Sequence, residues 1–142
     1  MTEAVIDCSI ALTWCFEDEA SPETDALFEQ VRDEGAVVPG LWHLELGNVL
    51  LQAEKRGRIS ARDVAARFEL IAALPIYVDQ ETTARAWREI LTLARAQRLT
   101  VYDATYLELA ARRSLRLFTL DGDLAQAAMR TGVIVVPAAK GP

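Results

Sequence analysis

Five apolar runs of three or four residues punctuate this chain, and stretches long enough for one or more helices separate them. The runs are Ala4-Val5-Ile6, Ala36-Val37-Val38, Ile76-Tyr77-Val78, Leu117-Phe118-Thr119-Leu120 and Val133-Ile134-Val135-Val136. They are continuous rather than alternating, which is the pattern of strands covered on both faces. With helices between every pair of strands, the sequence predicts an α/β fold built on a central, mainly parallel five-stranded sheet. No repeat, linker or biased tract divides the sequence, so residues 1–142 are read as a single domain.

Helix punctuation agrees with this. Ser21-Pro22-Glu23 places an N-cap, a proline at the first helical position and an acid in the first turn, predicting a helix to about Asp33 that stops at Gly35. A second helix is expected over 41–56, before Gly57, and a third from Ser60 to about Leu74. One long helix is expected over 81–97, another from Thr100 to about Arg113, and a last one over 121–130.

Composition excludes several classes. At 51% hydrophobic residues the chain is not disordered, and no apolar run approaches the roughly 18 residues needed to span a bilayer. The opening Met1-Thr2-Glu3-Ala4 lacks a basic signal region, so a cytoplasmic location with no membrane partner is expected. Cys8 and Cys15 are too few for a disulfide scaffold, and the single histidine, His43, argues against a His-based zinc site. His43 also lies in no recognisable hydrolase motif, which removes Ser9 as a nucleophile.

Acids occupy positions where an α/β sheet binds ligands. Asp7 follows the first strand and Asp121 the fourth, at the carboxyl ends where open sheets place their sites. Ser9 and Asp123 follow each at short spacing. Each acid also has a plainer reading as a helix cap. Glu45 lies in a mostly apolar helix with Asn48 three residues on, and Asp103 in Thr100-x-x-Asp103 fits a variant capping box.

Taken together, these segments resemble the PIN-domain nucleases, and within them the VapC-type toxins of bacterial toxin–antitoxin pairs. The matching stretches are Val5-Ile6-Asp7-Cys8-Ser9, Val38-Pro39-Gly40-Leu41-Trp42 with Glu45 and Asn48, Thr100-Val101-Tyr102-Asp103-Ala104, and Thr119-Leu120-Asp121-Gly122-Asp123-Leu124. Their order follows the family along essentially the whole chain. The resemblance implies a three-layer α/β/α domain and an acidic cluster of Asp7, Glu45, Asp103 and Asp121, with Ser9, Asn48, Thr119 and Asp123 as polar support. Converging carboxylates repel one another, and an all-oxygen donor set suits Mg²⁺ or Mn²⁺. The family implies metal-dependent endoribonuclease activity on RNA, with tRNA or rRNA as candidate targets. It also implies a homodimer neutralised by a VapB-type antitoxin.

Other features carry plainer readings. Trp14, Phe16, Trp42 and Trp87 are expected to be packing or dimer contacts, and Glu17-Asp18-Glu19 a solvated surface. The net charge of −6 argues against generic nucleic-acid affinity, leaving two local basic clusters: Lys55, Arg56, Arg58 and Arg62, and Arg112, Arg113 and Arg116. Two rival functions remain at this level. A catalytically inactive PIN-fold binding module would not need all four acids. A receiver-like phosphoacceptor domain would need a lysine after its last strand, where only Lys140 is available.

Overall fold

The computed structural model describes residues 3–138. Met1, Thr2 and residues 139–142, Lys140 among them, lie outside it. The five runs form five short strands: β1 Ala4–Ile6, β2 Ala36–Val38, β3 Ile76–Val78, β4 Leu117–Phe118 and β5 Val135–Val136. Their order in the sheet is β3-β2-β1-β4-β5, and every neighbouring pair is parallel. The fourth and fifth strands are shorter than their apolar runs, because only the residues in register with β1 and β4 find a ladder partner.

Between the strands lie α1 Cys8–Thr13, α2 Pro22–Glu34, α3 Leu41–Lys55, α4 Ala61–Ala72, α5 Thr82–Arg85, α6 Leu91–Gln97, α7 Val101–Arg113 and α8 Gly122–Arg130. Right-handed crossovers put the helices that lead from β1 through β2 to β3 on one face of the sheet. The helices that lead onward through β4 to β5 cover the other. Contacts agree: α1 and α4 pack on α3, while α6 and α8 pack on α7. Val5, Ile6, Val37, Val38, Leu117 and Phe118 are almost wholly buried between these layers.

The helix signals hold with small shifts. Ser21 and Thr24 form a full capping box at α2. Gly35 ends that helix at φ +85°, where a side chain would be strained, and turns the chain straight into β2. A short helix, α1, follows Asp7 directly, as the cap reading of that acid implies. One expectation needs correction: the helix expected over 81–97 is interrupted, since Ala86–Ile90 forms a π-helical turn between α5 and α6.

The four aromatic residues divide between interior and surface. Trp14, Phe16 and Trp42 are buried, whereas Trp87 is 90% exposed. The basic clusters are also corrected. Arg112 is locked between Asp79, Glu81 and Glu108, Arg113 pairs with Glu3, and Arg116 with Glu34. Arg58 pairs with Asp18 and Glu19 while lying over the Phe16 ring. The acidic run is therefore exposed as expected, yet tied to a cation.

Candidate functional site

The strand order reverses between β1 and β4: the chain leaves β1 toward β2 on one side and returns to β4 on the other. This is the switch point where the crossovers diverge and leave a crevice beyond the strand ends. Asp7 and Thr119 sit there as the residues directly following β1 and β4.

Asp7 is 5% exposed and surrounded by donors. Its Oδ1 accepts from the Ser9 hydroxyl at 2.5 Å and the Ile10 N–H at 3.3 Å, and its Oδ2 from the Thr119 hydroxyl. Asp7 is thus the N-cap of α1, so the plainer reading is correct as far as it goes. A carboxylate has about four lone-pair positions, and three are used here. One remains. Burial pushes the Asp7 pKa up to about 6 against the pull of the Ser9, Thr119 and Ile10 donors, with the charge of Asp121 adding to the rise.

Ser9 and Thr119 do more than support Asp7. The Ser9 hydroxyl also accepts from the Leu120 N–H at 2.8 Å, and Thr119 Oγ1 accepts from the Asp121 N–H at 3.0 Å. These bonds fasten the turn after β4 to the turn after β1. Asp121 in turn caps α8, its Oδ1 accepting from the Leu124 N–H at 3.0 Å.

Glu45 reaches the same end of the sheet from α3, and Asp103 from the first turn of α7. The Tyr106 hydroxyl donates to Glu45 Oε1. Burial raises the Glu45 carboxyl above its ordinary value, the Tyr106 donor opposes this, and the charge of Asp103 adds to it. Asp103 is raised by burial and then by Asp121 and Asp123. Its helix is capped by the Thr100 hydroxyl, which accepts from the Asp103 N–H at 3.0 Å, so Thr100 rather than Asp103 is the capping side chain. Asp7 therefore feels Asp121, Asp121 acts on Asp103, and Asp103 acts on Glu45. The four predicted acids form one electrostatic chain, and none of them is in an ion pair among the described residues.

Of the supporting residues, Ser9 and Thr119 bond directly within the site. Asp123 is exposed and acts on Asp103 through space. Asn48 is exposed one turn after Glu45 on α3 and bonds to none of the four acids. Tyr106 escaped the sequence reading. Its signal was spacing: three residues after Asp103, it shares a helix face with that acid. Cys8 donates from Sγ to the Trp42 carbonyl at 3.4 Å, and burial raises its thiol pKa, with Glu45 and Asp7 adding to the rise.

A model of the PIN domain family matches residues 4–129. The chain is a PIN domain. Its fold is also that of a solved protein: the crystal structure of PAE2754 from Pyrobaculum aerophilum aligns over 95% of this chain and 90% of the other, with a TM-score of 0.70 at 21% identity. That identity carries the fold alone. No curated protein matches the sequence.

PIN domains are generally nucleases that use divalent metals, and the donor chemistry here fits such an ion. The side chains offered are carboxylates and hydroxyls, with no basic side chain in an ion pair with them among the described residues. Among the described residues no three acidic, cysteine or histidine side chains are gathered closely enough to cage an ion unaided. Mg²⁺ suits an open arrangement of this sort, since it commonly keeps several waters and takes only one or two carboxylates. Asp7, with its one free lone pair, and its neighbours Asp121, Asp103 and Glu45 would hold it.

Proposed function

We propose that this PIN domain is a Mg²⁺- or Mn²⁺-dependent endoribonuclease, and that it acts as a VapC-type toxin held in check by a VapB-type antitoxin. One observation carries the catalytic part. Four acids from four separate segments are linked pairwise by charge near the switch point, and three of them are raised in pKa partly by one another. A structural set of acids would pair with arginines, as Asp79 does with Arg112 in this protein. Among the described residues these acids have no such partner, which is costly unless something cationic binds.

The chain's own residues divide the work. Asp7 is oriented by Ser9 and Thr119, so its free lone pair points in a defined direction. Tyr106 holds one oxygen of Glu45, leaving the other available. Asp103 and Asp121 add charge at the mouth, where a hydrolytic water would be positioned. A bound divalent ion lowers the pKa of its water and stabilises charge building on the scissile phosphate.

The toxin role rests on the order of the four motifs. An antitoxin that presents an arginine or lysine to the acids would replace the missing cation and block the site. A homodimer belongs to the same reading, and the 90% exposed Trp87 is a residue that a second copy would cover. Co-expression with the small reading frame next to this gene tests the partner: the complex should form and suppress RNA cleavage. A complex that cleaves RNA at the full rate would remove the inhibitory role.

A further inference from the structure

Part of the charge that a polyanion needs is taken up by acids in the places where the sequence suggests it. Arg112, Arg113 and Arg116 are all engaged with acids, and in the other run Arg58 is tied to Asp18 and Glu19. A different pair of cations stands beside the acidic cluster. Arg98 and Arg130 line a groove of about 530 Å³ together with Gln97, Gln126 and Asp123. Both arginines are exposed, and neither forms an ion pair among the described residues.

The local structure presents them as ligand donors. Arg98 ends α6 in the left-handed region at φ 56°. Arg130 lies in the last turn of α8 and donates from Nε to Gln97 Oε1 at 2.9 Å. That bond fixes the plane of the guanidinium while its two terminal nitrogens bond to no described residue. Asp123, Gln126 and Arg130 recur at helical spacing along one stripe of α8. At 1.5 Å per residue, the stripe runs about 10 Å from Asp123 to Arg130. Its near end is the acidic site, because Asp121 caps α8 and Asp123 acts on Asp103.

We infer that this groove is a binding track for the sugar–phosphate backbone of single-stranded RNA, with Arg98 and Arg130 holding phosphates next to the one being cleaved. The inference rests on the ribonuclease reading and adds to it where the substrate lies. At roughly 3.4 Å per nucleotide along a stacked strand, the track accommodates about three nucleotides. Asp123 marks where the phosphate-binding part ends and the cation-binding part begins. Contacts of this kind position a strand without reading its bases, so the track predicts orientation rather than sequence preference. An acidic protein thereby holds a polyanion through two local charges.

The test separates binding from cleavage. A fluorescein-labelled single-stranded RNA is titrated with protein in EDTA at several low salt concentrations and followed by anisotropy. Arg98→Ala combined with Arg130→Ala should weaken binding about tenfold or more. It should also flatten the slope of log affinity against log salt by about 1.4, two contacts at about 0.7 each. Arg95→Ala, on α6 but outside the groove, should bind like the parent. Melting temperatures of all variants should match the parent, since neither groove arginine is in an ion pair. Equal affinity and equal slope for parent and double variant would overturn the track and leave the groove to an acidic protein segment. Cleavage in Mn²⁺, measured separately, tests the ribonuclease reading: a parent that cleaves while the double variant binds unchanged retains that reading and loses only the track.

Discussion

Tyr106 and Glu45 are 61 residues apart in sequence and joined by a hydrogen bond from the tyrosine hydroxyl to one carboxylate oxygen. The bond spans α7 and α3, and so connects helices from opposite faces of the sheet at the end where the acids meet. Tyr106 is 2% exposed, and a buried hydroxyl needs a partner. Glu45 provides it and is held in one orientation as a result.

Tyr106→Phe keeps the ring and removes only that bond. The expected result is a stability loss of about 1 kcal/mol in EDTA. A second effect, a weaker Mn²⁺ affinity read by calorimetry, would not follow from a packing role. Unchanged Mn²⁺ affinity would confine Tyr106 to the core.

Asp7 makes the metal-free protein sensitive to pH. Its pKa rises from 3.8 to about 6 on folding. Well below pH 3.8 it is neutral in both folded and unfolded chains, so it costs nothing. As pH climbs from about 4 to 6, the unfolded chain releases the proton more readily than the folded one, and folding stability falls. The upper bound on that loss is about 3 kcal/mol. Thermal melts in EDTA at pH 5 and pH 7 should show it, and Asp7→Asn should lose less over the same window. A parent no less stable at pH 7, or a variant that falls as far, would contradict the assignment.

Asp103 separates a helix-capping role from membership of the acidic cluster. Asp121 and Asp123 both raise its pKa, so Asp103→Asn should relieve repulsion and stabilise the metal-free protein by about 0.2–1 kcal/mol. The stabilisation gained on adding Mn²⁺ should shrink at the same time. A lower metal-free melting point with an unchanged Mn²⁺ shift would return Asp103 to its helix dipole.

Arg112 should behave in the opposite way. Its guanidinium contacts Asp79 at 2.8 Å and Glu108 at 2.7 Å, with little of any of the three side chains exposed. Arg112→Ala should cost about 2–3 kcal/mol, between the values of exposed and fully buried pairs. RNA cleavage by the folded variant should be unchanged. A large loss of cleavage without a loss of stability would make Arg112 part of the site.

Much of this architecture is legible in the sequence because each strand is a short apolar run closed by a polar residue or a proline. Asp7, Thr119 and Asp121 fall at strand ends in the sequence and at the switch point in space, so their position follows from topology. What escapes the sequence is pairing between distant segments. Asp79 and Arg112 are 33 residues apart, so the basic run near 112–116 looks like free charge until the fold brings the acids to it. The same holds for Tyr106, whose ring reads as core and whose hydroxyl finds its use only through α3. For Trp87 the sequence leaves packing and dimer contact open, and the fold places it 90% exposed in the π-helical turn.

Cleavage of RNA by the purified protein, with Mn²⁺, Mg²⁺ or EDTA and with Asp7→Asn beside the parent, tests the central claim most directly. The parent should cleave with either metal, leaving 5′-phosphate and 3′-hydroxyl ends, and should stop in EDTA, while Asp7→Asn should be nearly inactive with every addition. Full activity in EDTA, or undiminished cleavage by folded Asp7→Asn, would contradict a metal-dependent acidic site at the end of β1.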